Sequence, residues 1–362
     1  MPLAQGVERQ KAASYSIIGE IMKPSNVGGQ AVMEGIMMKH KEKYAVAVRR
    51  TNNEIIVDVK EYHGVAPWKV AYKIPLVRGM FAFVDALVLG LRTLSFSASF
   101  FEEEGEEEVP MTAAQEKRDK LLQNMVMVLG VVLVLGLFIV VPFLFSSFFR
   151  NHIQSNLLFA IVEGMIRLGI LIGYISLVSK VGYIRRTYMY HGAEHKCINC
   201  IEQGLFLNLE NVRSSSKEHQ RCGTSFLFFV VMVSIVFGFF INYFVDLQIL
   251  QVVIRFLLLP LIAGTSYEII RLAGQKDKGL VNLLSKPGIL MQKITTKEPE
   301  DSMIEVAIVA LEEVFDWREF QGRISKGAPW ETREEIPYIR YAKTDDPLTE
   351  AVDLKNPKEI WQ

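Results

Sequence analysis

Residues 188–226 read YMYHGAEHKCINCIEQGLFLNLENVRSSSKEHQRCGTSF, a polar and basic stretch standing between two pairs of long apolar runs. Upstream, Met125 to Phe149 and Asn156 to Ser179 each supply the roughly 20 mostly apolar residues that cross a bilayer; downstream, Thr224 to Phe244 and Ile249 to Ile270 do the same. The joints inside each pair are very short, so the runs form two helical hairpins. Lys180, Arg185, Arg186, Lys196, Arg213, Lys217 and Arg221 fill the stretch between the hairpins, and Lys117, Arg118 and Lys120 precede the first. The short joints carry almost no basic residue. By the positive-inside rule both termini and the central loop face the cytosol.

The rest of the composition agrees. Half of the 362 residues are apolar. Acidic and basic residues balance at 40 each, so no global field argues for nucleic acid. The three cysteines are an odd number confined to one loop, which does not describe a secreted disulfide framework. The N-terminus MPLAQGVERQKAASYS lacks the basic segment, apolar core and cleavage site of a signal peptide, which keeps the first hundred residues in the cytosol. The expected fold is an α-helical polytopic membrane protein with four transmembrane helices in two hairpins and a cytosolic α+β cap.

Within the N-terminal region, residues 1–73, Tyr44 to Arg50 and Glu54 to Tyr62 alternate apolar and polar around Thr51-Asn52-Asn53, which reads as a β-hairpin. Residues 74–101 are long and apolar, yet Arg78, Asp85 and Arg92 recur every seven residues on one stripe. That pattern describes a helix lying at the interface or packed on the bundle, and a fifth span would place the basic N-terminal region outside. The linker 102–123 opens with EEEGEEE, a self-repelling solvated run. After hairpins at 124–179 and 224–272, separated by the loop 180–223, residues 273–316 are helical. Thr295-Thr296 ahead of Pro299 marks a helix start and Met303 to Phe315 has helical period. The tail 317–362 is charged, contains several prolines and reads as extended or disordered. Pro142 and Pro260 are expected to kink their spans.

The chemistry concentrates in the central loop. His191 and His195 are four residues apart, so on a helix they share a face and can hold one divalent metal. Glu194 completes His-x-x-Glu-His, the inverted zincin pattern in which the carboxylate acts on water. His219 and Cys222 return after the loop to close the shell. Glu268, at the cytosolic end of the last span, is a further ligand or the partner of Arg271. A rival reading takes Cys197-x-x-Cys200, eighteen residues and His219-x-x-Cys222 as a closed structural zinc site. A third leaves reduced thiols and surface histidines with no metal. Glu34, between two glycines, reads either as a supporting or catalytic carboxylate or as an ordinary half-exposed one. Glu163 and Arg167 stand one helical turn apart inside the second span, where ionisable groups pair or line a polar path.

The segments GGQAVMEGIMM, YHGAEHK, RCGTSF and QKITTKEPEDSMIEVAI, in that order, resemble the YqhQ-like family of bacterial membrane proteins, over roughly Asn26 to Phe315. The resemblance implies a predicted metal-dependent enzyme. It places His191, Glu194, His195, His219, Arg221 and Cys222 in family motifs, with Glu34, Gln292, Thr295 and Thr296. Cys197 and Cys200 are not fixed in that pattern, which lowers the closed-site reading, and Gln220 stands where a proline is expected. Residues and resemblance together predict a hydrolase at the cytosolic membrane surface. It would hold zinc or another divalent metal through His191, His195 and one of His219, Cys222 or Glu268, with Glu194 as general base and a peptide or lipid-linked substrate. The alternative is a non-enzymatic partner of other membrane proteins in their insertion, folding or transport, built around a polar groove between the spans.

Overall fold

A computed structural model describes residues 24–102, 113–150, 152–219, 222–273, 280–322 and 336–341. The N-terminal leader, most of the acidic run, Gln220, Arg221 and most of the tail lie outside the described residues.

Four strands come first, β1 (Val27–Val32), β2 (Gly35–His40), β3 (Lys43–Arg49) and β4 (Ile55–Glu61), each antiparallel to the next. The expected hairpin is β3–β4, with Lys43 opposite Glu61 and Arg49 opposite Ile55; Asn53 in its turn takes a φ of 71°. β1 and β2 extend it into a meander that the alternation did not show. Glu34 makes their tight joint at a φ of 48°, the left-handed backbone such turns require. The run Gly35 to Met38 is buried throughout, so its apolar residues do not alternate with polar ones.

After a 3₁₀ turn (Lys69–Lys73) the helices are α1 (Val77–Glu102), α2 (Ala113–Leu135), a π-helical turn (Gly136–Val140), α3 (Val141–Ser147), α4 (Asn156–Val178), α5 (Gly182–Glu202), α6 (Leu209–Ser214), α7 (Gly223–Phe244), α8 (Gln248–Ala273), α9 (Leu280–Thr295), α10 (Asp301–Val314) and α11 (Trp317–Phe320). Strand β5 (Ile339–Arg340) then pairs parallel with β4. Pro142 follows the π-helical turn, where its missing N–H fits a break in the ladder, whereas α8 continues through Pro260.

The sheet is the middle of three layers. On one face Val27, Ile36, Met38, Ala45, Ala47, Ile55 and Val57 meet Tyr190, Ala193, Cys197 and Ile201 of α5 and Met303, Ile304, Ala307 and Leu311 of α10. On the other face Val32, Met37, Tyr44, Val46, Val48 and Ile56 meet Leu89 and Phe100 of α1. Burying one such large apolar side chain contributes roughly 1.5–3 kcal/mol, so this sandwich is a main source of the stability of the fold.

Among the described residues, five helical segments are long and apolar enough to cross a membrane: Val77–Phe101, Val128–Ser147, Asn156–Val178, Ser225–Phe244 and Gln248–Leu272. The sequence reading counted four and set the first aside. That first helix divides its contacts. Its C-terminal half packs on the sheet through Leu89 and Phe100, and the Ser97 hydroxyl accepts from the Met33 N–H at 3.2 Å. Its start packs on α8, where a Cβ on Gly79 would lie 2.8 Å from the Gly264 carbonyl oxygen, so only small residues let the helices approach this closely. Many large apolar side chains of the bundle remain exposed, among them Leu257, Leu177 and Val126, as a lipid environment requires.

Two C-terminal expectations are corrected. Thr295 and Thr296 end a helix rather than start one: the Thr296 N–H and hydroxyl both donate to the Gln292 carbonyl at 2.7 Å, closing the last turn of α9. The tail is not simply extended from Trp317, because Trp317 is buried in α11 and Arg340 of β5 donates to Glu313. Its remainder lies outside the described residues.

Candidate metal centre

α5 presents two faces with different tasks. Ala193, Cys197, Cys200 and Ile201 enter the sheet-side core, while His191 and His195 face the loop that follows. Their rings stand 4.4 Å apart between centroids. His191 Nδ1 lies 2.9 Å from the Thr295 carbonyl oxygen, and His195 Nδ1 lies 2.7 Å from that of Lys217. A carbonyl only accepts, so each Nδ1 carries the proton and each Nε2 keeps its lone pair for a ligand. Burial pushes the His195 pKa below its ordinary value, against the pull of nearby Cys222, which favours the neutral ring a metal needs.

Cys222 completes the group. Its Sγ is 3.2 Å from His191 Nε2, and one donor atom from each of His191, His195 and Cys222 lies within 4.8 Å of the others. Zinc bonds of about 2.0–2.3 Å put tetrahedral donors roughly 3–4 Å apart, so the His191–Cys222 separation is already in range. Two imidazoles and a thiolate suit zinc by softness.

The loop carrying the Lys217 carbonyl is held from α5 and α9. The buried Lys196 ammonium donates to the Arg213 and Ser215 carbonyls at 2.8 and 2.9 Å and pairs with Glu298 at 2.6 Å. Asn199 donates to the Ser216 and Glu218 carbonyls. The Gln292 amide accepts from the His219 N–H at 2.9 Å and donates to the His219 carbonyl at 2.7 Å, fixing the chain three residues before Cys222. Gly192 lets the 295–299 segment approach: a Cβ there would sit 2.0 Å from the Lys297 carbonyl oxygen.

Glu194 points to the sheet. Its carboxylate accepts from the Gly29 N–H, and a Cβ on Gly29 would come within 2.9 Å of its Cδ. Oε2 is buried and has no hydrogen-bond partner among the described residues. Burial pushes the Glu194 pKa up, against the pull of His191 and the Gly29 N–H.

Other expected residues fall elsewhere. The His219 imidazole faces Glu202, with Nε2 and Oε2 3.6 Å apart, and is not in the three-residue donor group. Glu268 binds Arg78 through both carboxylate oxygens and accepts from the Leu76 N–H, with Arg271 3.9 Å away. Glu34 is held by Arg186 and by the Tyr190 hydroxyl. Cys197 and Cys200 are buried in the sheet-side core, so the closed four-ligand site does not assemble among the described residues. Arg221 lies outside them. Glu163 pairs with Arg167 as expected and also with Arg255, which the sequence reading missed. Lys196, Asn199 and Gly29 were missed as well, since contacts to backbone leave no spacing signature.

Comparison with known proteins places this geometry in a family. Residues 74–317 match the family described as "Protein of unknown function (DUF1385)". The chain is 35% identical over 302 residues to "Uncharacterized protein YqhQ" of Bacillus subtilis (strain 168), covering 81% of this chain and 93% of that protein. No solved structure matches. The chain belongs to the DUF1385 family.

Proposed function

We propose that this protein is a metal-dependent hydrolase working at the cytosolic face of the bacterial cytoplasmic membrane, on a peptide or lipid-linked substrate. The observation that carries the reading is the pair of imidazoles locked by the Thr295 and Lys217 carbonyls beside the Cys222 thiol. Three protein donors leave one position of a tetrahedral zinc shell for other chemistry, the mark of catalytic rather than structural sites. A bound zinc supplies Lewis-acid chemistry and a nucleophile at neutral pH. Glu194 would serve as general base: its Oε2 has no hydrogen-bond partner among the described residues, and Gly29 seats its carboxylate.

Four crossings support the cytosolic placement. Sheet and α5 pack together, so an even number of crossings separates them, while three candidate spans lie between. The C-terminal half of α1 lies on the sheet, which supports α1 as the helix that stays at the interface. The central loop and α10 then share the side that the basic residues mark as cytosolic.

Elemental mass spectrometry of the detergent-purified protein tests the site. One equivalent of zinc is expected in the parent, in Glu194→Gln and in Cys197→Ser, with loss in His191→Ala and Cys222→Ser. A metal-free parent, or zinc that depends on Cys197, overturns the reading. The polar cluster of Glu163, Arg167 and Arg255 favours the second reading, a non-enzymatic partner in membrane-protein insertion or transport. Glu194→Gln separates the two, because a hydrolase keeps its metal and loses its cellular function whereas a scaffold keeps both.

A further inference from the structure

The bundle buries more positive than negative charge. Glu163 of α4 receives two guanidiniums, Arg167 Nη2 on Oε1 and Arg255 Nη2 on Oε2, both at 2.8 Å. Arg255 Nη2 also donates to Asn242 Oδ1 at 3.1 Å, and Arg167 Nη1 donates to the Ser234 hydroxyl. Side-chain exposure is 4% for Glu163 and 5% for Arg255. One carboxylate between two arginines leaves one positive charge in a low-dielectric setting, where an unbalanced charge costs several kcal/mol. No other acid among the described residues of α4, α7 and α8 offsets it. Glu268 is engaged by Arg78, and Asp246 sits exposed in the α7–α8 joint.

The unused atoms of the cluster are all of one kind. Arg167 Nε, Arg255 Nη1 and Asn242 Nδ2 are buried without a hydrogen-bond partner among the described residues, and each is a donor. The acceptors are each already engaged: Glu163 Oε1 by Arg167, and Glu163 Oε2 and Asn242 Oδ1 by Arg255. Arg255 lies over the Phe143 ring at 4.5 Å, which shields the face of the guanidinium and leaves its N–H edge. Phe143 belongs to α3, directly after the π-helical turn, a departure from α geometry that recurs at binding sites. Glu163 and Arg255 lie two turns into their helices and Asn242 in the last turn of α7, so the cluster sits toward the hairpin joints and away from the sheet.

We propose that the bundle binds a small monovalent inorganic anion of halide type, held by Arg167, Arg255 and Asn242 beside Glu163. Such an ion supplies both missing quantities, a negative charge and an acceptor open to donors from several directions. A neutral water supplies only the second. The site is separate from the metal centre and does not depend on the hydrolase reading.

Thermal unfolding of the full chain in detergent tests this, with chloride replacing gluconate at constant ionic strength. The melting temperature is expected to rise by roughly 3 °C per tenfold chloride above the dissociation constant. Bromide should act likewise, and Cys222→Ser should keep the shift. Arg255→Gln should abolish it. Asn242→Leu keeps both ion pairs and removes one donor, so it should move the chloride midpoint up at least several-fold; it decides the matter if Arg255→Gln does not fold. Equal melting of the parent in chloride and gluconate overturns the proposal, as does a full shift retained in Asn242→Leu.

Discussion

The candidate metal centre and the bundle cluster both bury polar side chains, and they satisfy them by different means. At the metal centre the partners are mostly backbone: the carbonyls of Thr295, Lys217, Arg213 and Ser215, and the His219 N–H and carbonyl. In the bundle Glu163 meets only side chains, Arg167 and Arg255. The difference follows from where each lies. Spanning helices consume their own backbone groups in the helical ladder, so a charged side chain there pairs with another side chain, while small hydroxyls such as Ser234, Thr265 and Ser266 share a carbonyl of their own helix. The loop 203–219 between α5 and α7 has free carbonyls to offer. A site built on backbone keeps its partners when a side chain is changed, whereas one built on ion pairs strands its partners.

The largest expected effect comes from breaking the bundle cluster. Glu163→Leu leaves two buried guanidiniums without their carboxylate and should cost about 3–5 kcal/mol, read as a sharp fall in thermal unfolding temperature in detergent. Stability within about 1 kcal/mol of the parent would break the contrast between the two sites. Gln292→Leu should cost less, about 2–3 kcal/mol, because it strands the His219 N–H and carbonyl rather than a charge. It should also lower bound zinc, since it loosens the chain leading to Cys222. Unchanged zinc and stability would mean that the amide clamp does not position the site.

The smallest effect concerns Glu298. Burial raises its pKa, but the Lys196 ammonium outweighs that with help from Lys217, and the net value lies below the ordinary 4.5. Its contribution to stability is therefore present above pH 4.5 and is lost as pH falls through the lowered folded-state value. Glu298 is largely exposed, so the contribution is a few tenths of a kcal/mol. Glu298→Gln should flatten the acid limb of the stability–pH curve, and an unchanged limb would show that Lys196 relies on its carbonyl partners alone.

Legibility in the sequence follows the range of each interaction. The candidate spans showed in runs of apolar residues, the β3–β4 hairpin in strand-forming residues around the Thr51-Asn52-Asn53 turn, and the His191, His195 and Cys222 group in the His-x-x-Glu-His pattern and the returning cysteine. β1 and β2 hid because their joint, Met33-Glu34, is not made of residues that favour left-handed backbone. Arg255 hid because its partner is 92 residues away on another helix. Gln292 entered only through resemblance, since its partners are the backbone atoms of His219.

By itself the sequence determined which segments are apolar enough for lipid, where the basic residues fall along the chain, and that His191, His195 and Cys222 share one polar stretch. Those properties belong to residue types and their local spacing. The tertiary structure alone decided that α1 lies on the sheet, that Glu268 and His219 turn to other partners, and that Glu163 is shared by two arginines. Each depends on which surfaces meet across distant parts of the chain, and the free energy of that meeting appears in no local pattern.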